Sequence, residues 1–184
     1  NFKFYTFEEI KSFWITLLNK LVESYPEHKI VMLPQTIGYS KFLPDGYIYF
    51  NEIKNQSNFP NRVFVLEEQY GSDIQQSIIS NASFLIGARY HSIIFSINQD
   101  VSFISLSYEH KMNGVVEILN KKDCEIDLVK EFADQPMSDI LQSDLIERII
   151  TKSHVLESIK GTKKVAHNIA NNGFEELKTF INAI

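Results

Sequence analysis

Short apolar runs, each too brief for a helix, recur along this chain with helix-length segments between them. They are KIVML (residues 29–33), RVFVL (62–66), SFLIG (83–87) and VSFISL (101–106). None alternates cleanly between apolar and polar positions, as a strand with one wet face would. Continuous apolar character fits parallel strands covered on both faces. Strand-helix alternation therefore predicts an α/β fold, a parallel, doubly wound, Rossmann-like sheet flanked by helices. Its crossovers should be right-handed.

The intervening segments carry helix signals. Thr6 followed by Glu9 is a capping-box pattern, and Ile10, Phe13, Trp14, Leu17, Leu18 and Leu21 recur at helical spacing before Pro26. A helix is predicted over Thr6 to Tyr25. Gly71, Ser72 and Gln75 open another, running to about Ser80. His91 to Asn98 is apolar nearly all round, which predicts a buried helix. Lys111 to about Asn120 gives one more, and Cys124 to Leu128 a last, weaker strand. Ser138–Ser158 and about Thr162–Ile184 read as helical. Residues 34–60 fit either a short helix or an irregular strand between turns.

Composition narrows the function classes. Of the 184 residues, 44% are hydrophobic and 22% charged, a globular balance. The formal net charge is −5, which argues against nonspecific binding to nucleic acid or an anionic membrane. Cys124 is the only cysteine, so a reduced, cytoplasmic setting is expected. No apolar run approaches the roughly 20 residues of a membrane-spanning helix, and no signal-peptide pattern opens the sequence. The chain starts at Asn1 without an initiator methionine and reaches a helix almost at once. It is expected to be a fragment of a longer protein.

In open α/β sheets, ligands bind at the carboxyl ends of the strands. The segments there are PQTIG, EEQYGS, ARYH and SYEHK. They gather Gln35, Thr36, Glu67, Glu68, Tyr70, Arg89, His91, Tyr108, Glu109, His110 and Lys111. Arg89, His91 and Lys111 each fall at or beside a predicted helix N-terminus, whose unpaired N–H groups and dipole favour anions. Arginine adds a planar fork for carboxylate or phosphate, and histidine a proton near neutral pH. Blander readings stand beside these. Arg89 could pair with Glu67 or Glu68, and His91 could be a structural residue at a helix start. His110 and Lys111 read as a solvated loop pair, and His28, His154 and His167 as surface residues. There is no G-x-G-x-x-G after a strand, no P-loop, no nucleophile elbow and no Cys/His metal spacing. A dinucleotide enzyme, a nucleotide kinase or a serine hydrolase is therefore not expected. The residues alone lead to an α/β domain with an anion-binding edge.

Residues 80–119, SNASFLIGARYHSIIFSINQDVSFISLSYEHKMNGVVEIL, resemble the polysaccharide pyruvyl transferase family. That family carries Arg-x-His after a strand, then a buried helix, then an apolar strand ending in Tyr-x-x-Lys, then glycine in the next helix. The matching positions are Arg89, His91, Tyr108, Lys111 and Gly114. The resemblance implies that residues 1–184 form one α/β domain, the C-terminal, donor-binding half of a glycosyltransferase-B-like protein. It implies transfer of pyruvate from phosphoenolpyruvate to two sugar hydroxyls, forming a ketal, in cell-surface or exopolysaccharide biosynthesis. The fragment by itself is then expected to be inactive.

Under that reading His91 is the general acid. Arg89 binds the donor's phosphate or carboxylate, and Lys111 neutralises departing phosphate. Tyr108, Gln35 and the N–H groups after Tyr90 are further donors. No metal or cofactor is required, and the partners are phosphoenolpyruvate and a saccharide or lipid-linked saccharide; a homo-oligomer is compatible with the reading. One departure stands out: family members often carry a further arginine before the helix corresponding to residues 7–25, where Asn1–Phe7 offers only Lys3. Two other classes fit the same edge. One is a glycosyltransferase with a nucleotide-sugar donor, using Glu67, Glu68 and Tyr70. The other is a non-catalytic binding or interaction module.

Overall fold

The computed structural model describes residues 5–35, 45–67, 70–133, 135–154 and 162–182. In chain order its elements are α1 (Phe7–Ser24), β1 (Ile30–Met32), α2 (Gly46–Gln56), β2 (Val63–Val65), α3 (Ser72–Ile79), β3 (Leu85–Gly87), α4 (Tyr90–Asn98), β4 (Phe103–Ser107), α5 (His110–Ile118), β5 (Glu125–Asp127), α6 (Leu128–Glu131), α7 (Met137–Gln142), α8 (Leu145–His154) and α9 (Thr162–Asn182). This is a mixed α/β arrangement of parallel sheets flanked by helices, in keeping with a Rossmann-like pattern. The strands pair in two sets, β1-β2 and β3-β4-β5, rather than in the one sheet expected. In both sets strand order follows sequence order. Four of the strands have only three residues and so few ladder bonds to extend a sheet; each set instead lies in its own compact unit.

The first unit comprises the described residues of 1–71 and 128–154. In α1 the capping box forms as expected: the Glu9 N–H donates to Thr6 Oγ1 at 3.2 Å, and the Thr6 N–H donates to Glu9 Oε2 at 2.8 Å. Phe13, Leu17, Leu18, Leu21 and Val22 fall on the buried side of this helix. Lys11 is also nearly buried, held by Glu8 at 2.8 Å and by Glu52 of α2 at 2.9 Å. These two partners hold its ammonium above the usual lysine pKa range against the opposing effect of burial. The ambiguous stretch 34–60 resolves, in its described part, as α2. Asp45 caps that helix by accepting from the Tyr47 and Ile48 N–H groups. Leu18, Val22, Ile53 and Val63 form the core beneath it. Ile30, Val31 and Met32 pair with Val63, Phe64 and Val65. Val31 and Phe64, directly opposite each other, both remain exposed.

The single helix expected over Ser138–Ser158 is broken. Ser143 Oγ accepts from the Leu145 N–H at 3.2 Å and donates to the Ile140 carbonyl at 2.7 Å. That ends α7 and starts α8; residues 155–158 lie outside the described residues.

The second unit comprises the described residues of 72–127 and 155–184. All five residues of its central strand β4 are buried. The strand order β3-β4-β5 makes both crossovers run in the same direction, so crossovers of one hand put α4 and α5 on one face of this sheet. Ile93 and Ile97 of α4 accordingly share a core with Met112 and Val116 of α5, Phe103 of β4 and Cys124. Both helices end alike. Asp100 and Asn120 take positive φ, 52° in each case. The Val101 N–H returns to the Ser96 carbonyl, and the Lys121 N–H to the Val116 carbonyl, a Schellman-type closure. Each turn delivers the chain into the next strand. Along α9 most side chains are exposed, and Ala166 packs against the core.

Candidate functional site

Gly87 closes β3 and makes the next turn feasible. A Cβ there would lie 2.5 Å from Ser92 Oγ, 2.8 Å from Ile93 Cδ1 and 2.9 Å from Leu85 Cδ2. Only a residue without one lets the first turn of α4 settle this closely on the strand end. The chain then needs just Ala88 and Arg89 before the helix begins. Arg89 is the N-cap, in extended geometry (φ −132°, ψ 140°), and supplies no side-chain cap. Ser92 Oγ instead donates to the Arg89 carbonyl at 2.6 Å. The leading N–H groups of α4 are thus without a capping side chain.

The next junction repeats this design. Glu109 is the N-cap of α5 (φ −136°, ψ 146°), again with no side-chain cap bond. His110 and Lys111 follow it and are exposed. Two uncapped helix starts therefore follow two adjacent parallel strands, and both point to one edge of the three-stranded sheet.

Strand register brings the site residues together across that edge. Gly87 pairs with Ser105, and Ser107 pairs with Asp127. Arg89, two residues past Gly87, comes level with Ser107 and beside Tyr108. Its guanidinium carbon lies over the Tyr108 ring, 5.9 Å from the centroid. Arg89 is exposed and makes no ion pair among the described residues. Tyr108 is half-buried against the core cluster. Burial raises its phenol pKa, Arg89 pulls it down and Glu109 raises it further. His91 is exposed, near the rings of Tyr90 (5.6 Å) and Phe95 (6.1 Å). Tyr90 packs against the core. Lys111 makes no ion pair among the described residues.

The remaining candidates are distributed differently. Gln35 follows β1 in the first unit and is half-buried. Glu67 is exposed and Tyr70 half-buried, whereas Thr36 and Glu68 lie outside the described residues, as does Lys3. His28, His154 and His167 are exposed, as the sequence suggested. Among the described residues no group of three or more His, Cys, Asp or Glu side chains could hold a metal ion. Among them, too, no helix is long and apolar enough to cross a membrane.

Sequence reasoning missed some polar groups at this edge. Ser105 and Ser107 are fully buried, and their hydroxyls meet at 2.9 Å. The signal was present: two serines spaced by one residue inside an apolar strand share a face. Away from this edge, near the C-terminal end of α4, Ser96 Oγ is buried too, with no hydrogen-bond partner among the described residues. Asp127 ends β5 at the same level as Ser107, 3.5 Å from Asn113 Nδ2.

Chemically, the edge offers a fork-shaped cation, a free ammonium, an imidazole and two sets of N–H donors to a small anion. The family model for polysaccharide pyruvyl transferase matches residues 42–110 of this chain. That is the family resembled by residues 80–119. The match takes in Arg89, Tyr90, His91 and Tyr108, ends one residue before Lys111, and leaves out Gln35. No solved structure matches the chain.

Proposed function

We propose that this chain is the donor-binding part of a ketal-forming pyruvyl transferase. It would move pyruvate from phosphoenolpyruvate to two hydroxyls of a saccharide or lipid-linked saccharide in the cytoplasm. The observation that carries the reading is the pair of uncapped helix starts, α4 and α5, with Arg89 and Lys111 beside them. Helix N-termini and cations together favour a ligand bearing negative charge, and phosphoenolpyruvate carries a carboxylate and a phosphate close together. The family match over residues 42–110 supports the same reaction class. A glycosyltransferase-B-like whole protein, with the acceptor bound by another part, belongs to this proposal.

In this scheme the Arg89 fork takes the donor's phosphate or carboxylate through charge-assisted hydrogen bonds. His91, as imidazolium, gives a proton to the methylene carbon, leaving the central carbon cation-like. A sugar hydroxyl adds there and its proton returns to the imidazole. The C–O bond to phosphate then breaks, Lys111 balancing the departing charge. The second hydroxyl closes the ketal and its proton leaves with phosphate. Overall, donor and diol give ketal and inorganic phosphate, with no redox change.

Calorimetric titration of the chain with phosphoenolpyruvate, inorganic phosphate, and UDP- and GDP-sugars tests the reading. Phosphoenolpyruvate should bind, phosphate should compete with it, and Arg89→Ala should weaken both at least about tenfold. Binding of a nucleotide sugar without binding of phosphoenolpyruvate would replace this reading with that of a glycosyltransferase.

A further inference from the structure

We infer that Tyr108 is a positioning residue for Arg89, acting through its ring, rather than a ligand to the donor through its hydroxyl. The inference rests on the donor reading given above. Arg89 has a long side chain, is exposed, and has no ion-pair partner among the described residues. Its own backbone fixes only the start of that side chain. What lies under its guanidinium is the Tyr108 ring, at 5.9 Å. That ring is the better-anchored partner: it follows the fully buried strand β4 and packs against the core of the second unit. A cation held over a ring face is attracted by the ring quadrupole. Held there, a guanidinium still has N–H groups to offer an anion and gives up part of its rotamer freedom before the ligand arrives.

The register explains why the residues must come from neighbouring strands. Arg89 is two positions past Gly87, and Gly87 pairs with Ser105, so Arg89 reaches the level of Ser107 just before Tyr108. One strand spacing, about 4.8 Å, separates the two chains there. A shorter or longer turn after β3 would lose this contact.

The test uses Tyr108→Phe, Tyr108→Leu, Arg89→Ala and the double variant Arg89→Ala/Tyr108→Leu. Each is checked for folding by thermal melting and titrated with phosphoenolpyruvate. Tyr108→Leu should weaken donor binding about threefold to tenfold, the range of a cation–ring contact, and Tyr108→Phe should restore it. Tyr108→Leu should add nothing once Arg89 is alanine. In assigned NMR spectra without ligand, the ring-current shift of the Arg89 side-chain protons should survive Tyr108→Phe and vanish in Tyr108→Leu.

A Tyr108→Phe variant as weak as Tyr108→Leu would overturn the inference in favour of the hydroxyl. So would an unchanged Arg89 shift in Tyr108→Leu, or additive losses in the double variant. If wild-type protein shows the ring-current shift but binds no phosphoenolpyruvate, the donor reading falls, and the role of Tyr108 in donor binding falls with it. If wild type binds the donor but lacks the shift, only the inference falls.

Discussion

The starts of α1 and α2 in the first unit and of α4 and α5 in the second are finished differently; α7, which opens on Pro136, also lacks a side-chain cap. In the first, α1 opens on the reciprocal Thr6–Glu9 box and α2 on Asp45, so side chains of the protein itself take up leading N–H groups. In the second, α4 and α5 open on Arg89 and Glu109 with no side-chain cap bond at either. The far ends of α4 and α5 show that this is not poor helix design. Both close with the same turn, φ 52° at Asp100 and at Asn120, and their last carbonyls are satisfied. Of the two ends of α4 and of α5, the start, at the strands' carboxyl edge, is the open one. Capping is worth about 1 kcal/mol, so open starts forgo stability where an anion could supply the missing partner.

The largest effect expected from breaking this contrast is catalytic. His91→Ala should lower kcat in the full-length protein by about 10²- to 10⁴-fold, with the Kd for phosphoenolpyruvate nearly unchanged. Equal rates for variant and wild type would remove His91 as the acid.

Next is Gly87→Ala, which forces a Cβ into Ser92 and Ile93. It should cost about 1–3 kcal/mol, read as a lower urea midpoint, and pull α4 away from the strand end. A wild-type midpoint would mean that the close approach is not required.

Arg89→Ser sharpens the comparison most directly, because it turns an open start into an ordinary capped one. Thermal stability should hold or rise by up to about 1 kcal/mol, while the Kd for phosphoenolpyruvate worsens at least about tenfold through loss of a charge-assisted contact. A clear fall in melting temperature together with unchanged donor affinity would contradict both halves.

Thr6→Ala is the counterpart in the first unit. It should cost about 1 kcal/mol and leave donor affinity as it was, measured by melting and titration on the same samples. Asp100→Gly should have the smallest effect, a gain below about 1 kcal/mol in the same melting assay, because glycine takes positive φ without a Cβ penalty.

Much of this was legible in local pattern. The Thr6–Glu9 box, the apolar stripe of α1 and the buried helix after Arg89 appear within a residue or two of where spacing puts them. So do the five strands. These depend on contacts a few residues apart, which sequence periodicity records. The helix α2 was less legible, since Asp45-Gly46, where it starts, reads equally well as a turn. The break between α7 and α8 was missed because apolar spacing continues through it, although Ser143 is a recognisable capping residue.

What the sequence determined by itself is the strand-helix order from α3 to β5 and the place of Arg89, His91, Tyr108 and Lys111 just after two of its strands. Strand-helix alternation with short connections leaves few other ways to bury continuously apolar strands. Tertiary structure alone decided that the strands pair in two sets. It also decided that Gly87 serves close approach rather than an unusual φ, and that Arg89 lies over Tyr108. The physical reason is distance along the chain: residues 19 apart meet only through the register of two strands, and single-residue register leaves no trace in composition or periodicity.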